Sequence, residues 1–162
     1  MSETRNIVVA GLGGQGVLKV TDIIAEALFR CGFDVKKSEV HGMSQRGGSV
    51  SSEVRFGKLV HSPMVPDGEA DILAVLDNSQ TEVVLEKLRK GGVLITPDDV
   101  PVASLKHPKA LNTMVLGALS KQLPEVPHEV WHAEKKWDCP TAITCTAAGI
   151  APPSMTAACC GR

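Results

Sequence analysis

The chain has 162 residues, with 17 basic and 18 acidic side chains, a formal net charge of -1 and 43% apolar residues. That composition suits one globular domain with one core and leaves no long-range field to draw in nucleic acid. The five aromatic residues, Phe29, Phe33, Phe56, Trp131 and Trp137, are too few for a base-stacking platform.

The apolar runs fall far short of the ~20 residues that cross a bilayer. Residues 1–6 lead into a short strand and not into a signal-peptide core. A cytoplasmic chain without membrane contact is the expectation. Five cysteines, an odd number, point to reduced thiols. With no C-x-x-C-x-x-C array, no iron–sulfur cluster is expected within this chain.

Ile7-Val8-Val9-Ala10 reads as a buried parallel strand. Val17, Val20, Ile24, Leu28 and Cys31 follow at helical spacing, and Gly32 marks the helix stop. Phe33-Asp34-Val35 opens a second strand. Ser49 to Phe56 alternates in period two, which predicts a half-exposed strand. Gly57-Lys58 reads as a turn, with Leu59-Val60-His61-Ser62 pairing back as a hairpin arm.

Asp71 introduces the buried strand Ile72 to Leu76. Ser79 or Gln80 would cap a helix from Thr81 to Arg89 that Gly91-Gly92 closes, and Val93 to Thr96 forms a further strand. Pro97 to Pro101 is a turn, and Asn112 is a good N-cap for the helix Thr113 to Leu119. Alternating strands and helices predict an α/β fold, Rossmann-like, in three layers about a mostly parallel sheet. The domain is expected over residues 1–137. Residues 138–162 hold four of the five cysteines and no charge between Asp138 and Arg162, which predicts an irregular, poorly ordered tail.

Two loops carry the chemistry. Gly11-Leu12-Gly13-Gly14-Gln15-Gly16 matches G-x-G-x-x-G between a strand and a helix. Glycines there permit a tight turn and a close anion, so Gly11, Gly13, Gly14, Gln15 and Gly16 are candidate anion-binding residues. The same turn also serves simple strand–helix packing or a partner surface. A dinucleotide site further needs an acid at the end of the second strand. Only Glu39 could serve, after Lys36 and Lys37. Gln15 is unusual in such a loop, since its amide both donates and accepts.

The second loop runs from His41 to Val50, too polar for core and too rich in glycine for helix. It follows the second strand at the sheet edge where α/β folds bind ligands. Arg46 offers a planar fork to a carboxylate or phosphate, and His41 can carry a proton near neutral pH. A bland alternative is a turn that supports a neighbouring subunit.

His128-Glu129-Val130-Trp131-His132 matches the zinc pattern H-E-x-x-H. Pro124 and Pro127 crowd its start, and Lys135 stands where the longer pattern needs glycine. Asp138 has a possible third-ligand spacing, but no His or Glu follows Glu134. No metal site is expected.

With both loops quoted, the chain resembles the gamma-type subunits of the 2-oxoacid:ferredoxin oxidoreductases, and among them the beta subunits of the indolepyruvate enzymes. The resemblance rests on Val9 to Val17 and Ser38 to Val50, with Asp71-Ile72-Leu73 and Asn112 to Gly117 in the same order. It spans about residues 5 to 133.

The resemblance implies an obligate subunit, inactive alone, of a complex that decarboxylates aryl pyruvates such as indolepyruvate to acyl-CoA and reduces ferredoxin. Thiamine diphosphate and iron–sulfur clusters would lie on a large alpha subunit. Coenzyme A would meet the complex near this domain, and no cofactor would bind this chain alone. His41, Gly42, Ser44, Gln45, Arg46 and Gly47 would line the active-site or coenzyme A region, beside the glycine loop. No catalytic residue is assigned. The alternative is a stand-alone nucleotide-binding Rossmann-like module.

Overall fold

A computed structural model describes residues 4–42, 47–101 and 110–133. The expected tail, 138–162, lies outside them, as do Ser44, Gln45 and Arg46.

Five strands, β1 (Arg5–Leu12), β2 (Asp34–His41), β3 (Ser49–Gly57), β4 (Ala70–Val75) and β5 (Leu88–Ile95), form one sheet in the order β2-β3-β1-β4-β5. β1 pairs in parallel with β4, and β4 with β5, while β3 runs antiparallel between β1 and β2. Four strands therefore share one direction and β3 opposes them.

Residues Ile7 to Ala10 are fully buried because both faces of the sheet are covered. Alternate strand residues face opposite sides. Ile7 and Val9 meet the helix α1 (Val17–Arg30), with α3 (Leu111–Ser120) beside it. The short α4 (His128–Ala133) adds Val130 and Trp131 to that side. Val8 and Ala10 meet the thinner layer, built from α2 (Thr81–Val84) and the irregular segment that carries Val65. The apolar stripe of α1 is as the spacing predicts: Val17, Val20, Ile24 and Leu28 are buried. Cys31 caps that helix, and Gly32 follows at φ 87°, a left-handed turn that glycine adopts without strain.

Four expectations are corrected. First, β3 is not a half-exposed strand, since Ser52, Glu53 and Val54 are buried. Glu53 is 2% exposed and survives inside because Lys87 Nζ lies 2.6 Å away and Val65 N–H donates to it at 2.8 Å. Second, Leu59 to Ser62 forms no hairpin arm. Both edges of β3 are taken by β1 and β2. The Asp34 carboxylate accepts the Val60 N–H, and the Arg55 guanidinium donates to the carbonyls of Ser62 and Met64.

Third, the helix expected over Thr81–Arg89 stops at Val84 and passes through a 3-10 turn, Leu85–Lys87, into β5. Gly91 and Gly92 lie inside that strand. A Cβ on Gly92 would stand 3.0 Å from the Ala70 carbonyl oxygen, so the close strand approach needs the glycine. Fourth, α3 starts at Leu111 after Ala110, and Asn112 does not cap it. Its side-chain amide oxygen, Oδ1, accepts the N–H of the adjacent Thr113 at 2.7 Å.

Candidate functional site

After β1 the chain turns through α1 towards β2, and after β4 it turns through α2 towards β5, on the opposite face. The two departures open a crevice between the carboxyl ends of β1 and β4, the usual ligand position of a wound sheet. The glycine loop lies at that point.

Gly11 ends the buried part of β1. A Cβ there would come within 3.0 Å of Leu76 Cβ and 2.9 Å of Val17, so only glycine fits between strand and helix. Gly16 precedes α1 at φ 86°, and a Cβ on it would meet the Asn112 amide nitrogen at 2.5 Å. Gly13 and Gly14 are exposed at the crest.

Gln15 uses both ends of its amide. Its Oε1 accepts the Leu12 N–H at 2.8 Å, and its Nε2 donates to Asp77 Oδ2 at 2.9 Å. Asp77 follows β4 and also accepts the Ser79 hydroxyl at 2.7 Å and the Ser79 N–H at 3.1 Å. The Ser79 hydroxyl, then the Gln15 amide, then the Ser79 N–H hold the Asp77 carboxyl below its ordinary range. The backbone closes the same gap, with Leu76 N–H on the Ala10 carbonyl at 2.8 Å.

The two sequence motifs meet here. Gly13 N–H donates to the Gly48 carbonyl at 2.9 Å, and Gly42 N–H donates to the Ser49 carbonyl at 2.8 Å. In register, Gly11 faces Val50, and Val50 faces His41. His41 is exposed, 3.4 Å from Glu39. Glu39 in turn pairs with Lys37 at 2.6 Å, and the Lys37 hydrogen bond keeps its carboxyl low.

This arrangement suits a rigid rim better than a phosphate cradle. The Gly13 N–H is engaged by the Gly48 carbonyl and the Gln15 N–H by the Leu12 carbonyl. The dinucleotide pattern fails on geometry too. β3 stands between β1 and β2, and Glu39 is level with Ser52 and Val9. At about 4.8 Å per strand it sits roughly 10 Å from β1, too far along the sheet to serve a ribose on the loop.

Asp77 was the residue that sequence reading missed. It is the first polar residue after the apolar run Ile72 to Leu76, and that position is its one signal.

The pyruvate ferredoxin/flavodoxin oxidoreductase family matches residues 6–134, most of the chain. The chain belongs to this family. Indolepyruvate oxidoreductase subunit IorB of Archaeoglobus fulgidus is 39% identical over 127 residues, 75% of this chain and 62% of that protein. The subunit of the same name from Thermococcus kodakarensis is 44% identical over 91 residues, 56% of this chain and 45% of that protein. The chain thus spans about half the length of the curated relatives it matches.

Among solved structures, the gamma subunit of a keto/oxoacid ferredoxin oxidoreductase from Geobacter sulfurreducens superposes with TM-score 0.65 at 24% identity, over 80% of this chain and 83% of that one. The 2-oxoglutarate:ferredoxin oxidoreductase of Magnetococcus marinus, solved with 2-oxoglutarate, coenzyme A and succinyl-CoA bound, gives 0.68 at 20% identity, over 82% of this chain and 26% of that one. Both share the fold of this oxidoreductase-family domain.

No described helix is long and apolar enough to cross a membrane. Among the described residues no group of three or more His, Cys, Asp and Glu side chains is placed to hold a metal ion. Of the H-E-x-x-H segment, α4 does begin at His128, while Asp138 lies outside the described residues.

Proposed function

We propose that this chain is the gamma-type subunit of a complex that oxidatively decarboxylates aryl pyruvates, indolepyruvate above all. In that reaction the 2-oxo acid loses carbon dioxide, its acyl group passes to coenzyme A, and two electrons pass to ferredoxin. The observation that carries this reading is the 39% identity over 127 residues to a protein named as an indolepyruvate oxidoreductase subunit.

On this reading a large alpha subunit holds thiamine diphosphate and the iron–sulfur clusters, and passes electrons to ferredoxin. The complex works in the cytoplasm. The chain's own part is shape. Gly11, Gly13, Gly14, Gln15 and Gly16 form a stiff rim. His41, Gly42, Ser44, Gln45, Arg46 and Gly47 face the shared active-site or coenzyme A region beside it. The electron-sink chemistry stays with the cofactor on the partner.

The test is co-production with a large subunit that carries a thiamine diphosphate motif and cluster cysteines. Indolepyruvate- and coenzyme A-dependent reduction of ferredoxin should appear with both chains and with neither alone. Turnover by this chain alone overturns the reading, as does a complex that prefers pyruvate or 2-oxoglutarate. Saturable binding of NAD, NADP or FAD to the isolated chain would favour the nucleotide-binding alternative.

A further inference from the structure

We infer that Gln15 and Asp77 are positioning residues. Their hydrogen bond clamps the loop after β1 to the loop after β4 and so sets the stem of the His41–Ser49 loop. This rests on the proposed function only for what that loop faces.

The chain of contacts is continuous. Ser79 fixes Asp77 through its N–H and its hydroxyl. Asp77 then fixes the Gln15 amide at 2.9 Å. Gln15 holds Leu12 from both sides, with its Oε1 on the Leu12 N–H at 2.8 Å and its own N–H on the Leu12 carbonyl at 3.1 Å. That tight turn aims the Gly13 N–H at the Gly48 carbonyl. Gly48 borders Ser49, which accepts the Gly42 N–H and closes the stem. The Asn112 amide lies against Gly16 at the α3 side of the loop.

Gln15 must accept from one backbone N–H and donate to one carboxylate at once, which an amide does and a carboxylate or alkyl group does not.

The pair can be inverted, and this gives the test. In Gln15→Glu a carboxylate accepts from Leu12 but faces the Asp77 carboxylate. In Asp77→Asn the new NH₂ must face either the Gln15 NH₂ or the Ser79 N–H, donor against donor. In the double variant Q15E/D77N, Glu accepts from both Leu12 N–H and the Asn NH₂, and the Asn carbonyl accepts from Ser79. All hydrogen bonds return, and only the one between residues 15 and 77 has its donor and acceptor exchanged.

Hydrogen-exchange protection of the Leu12 and Gly13 amides in the full chain should fall about ten-fold or more in each single variant. It should return to within about three-fold of wild type in the double variant. The Asn6 amide, held by Asp71 at the other end of β1, is the control for an intact fold. Unchanged protection in the singles, or no recovery in the double, overturns the inference.

In the co-produced complex the single variants should raise KM for the 2-oxo acid or coenzyme A more than they lower kcat, with recovery in the double. An active wild-type complex whose KM ignores Gln15→Glu would overturn the positioning role and leave the function standing. An inactive wild-type complex would instead overturn the function, and the exchange data would still decide the clamp.

Discussion

The parallel strands β1 and β4 are closed differently at their two ends. At the amino end, charge is sewn to backbone. The Asp71 carboxylate accepts the Asn6 N–H at 2.7 Å and faces the Arg89 guanidinium at 2.7 Å. The Asn6 side chain bridges the Glu69 carbonyl and Arg55, which itself ties down Ser62 and Met64. At the carboxyl end the closure is neutral amide against one carboxylate, among glycines that leave room for little else. The first end anchors the fold and the second end fixes a shape. Asn6 and Asp71 at the anchor are buried, whereas Gly13 and Gly14 are open to whatever docks there.

If the ends are separable, damage at one should stay there. Asp71→Ala strips a partner from a backbone N–H of the buried Asn6 and from Arg89. It should cost about 2–4 kcal/mol in chemical denaturation, while Leu12 amide protection relative to global stability stays as in wild type. Loss of that protection would show that the ends are coupled.

Gly11→Ala forces a methyl against Leu76 and Val17 and should cost about 1–3 kcal/mol. In contrast to Asp71→Ala, it should disturb the Gly13 and Gly48 amide resonances more than those near Asn6.

A third experiment uses acid. Asp77 is held below its unfolded value, so its contribution to stability is present above that value and fades as pH falls through the folded one. The difference in unfolding midpoint between wild type and Asp77→Asn should be present at neutral pH and shrink as pH falls below the ordinary carboxylate range. A difference independent of pH would mean that the charge on Asp77 is irrelevant to the clamp.

The smallest effect is expected away from both ends. Lys36 pairs with Asp34 at 3.5 Å on the exposed edge strand. Its replacement by alanine should change stability by no more than about 0.5 kcal/mol.

Much of this was legible in the sequence. The apolar run before Gly11, the helical spacing after it and Gly32 as the stop name β1 and α1 outright, because local patterns decide them. The run Ile72 to Leu76 names β4 for the same reason. Three of the four misreadings come from partners distant in the chain. Nothing between Ser49 and Phe56 tells that β3 will be inserted beside β1, where its charged Glu53 meets Lys87, 34 residues on. Nothing near Leu59 tells that Asp34, 26 residues back, will claim the Val60 N–H. The Val83-Val84-Leu85 run reads as helix until β5 pairs with β4.

At the site, the two loops could be located, and Gln15 stood out for an amide that works both ways. Its partner could not be named, since Asp77 is 62 residues further along.

The placement of β3 has a consequence for redesign. Converting this scaffold into an NAD binder by adding acids along β2 would fail, because β2 does not border β1. On that side β3 does, and it presents Ser49 and Ser51 opposite Leu12 and Ala10. An engineer would have to install the ribose-recognising carboxylate on that antiparallel insert.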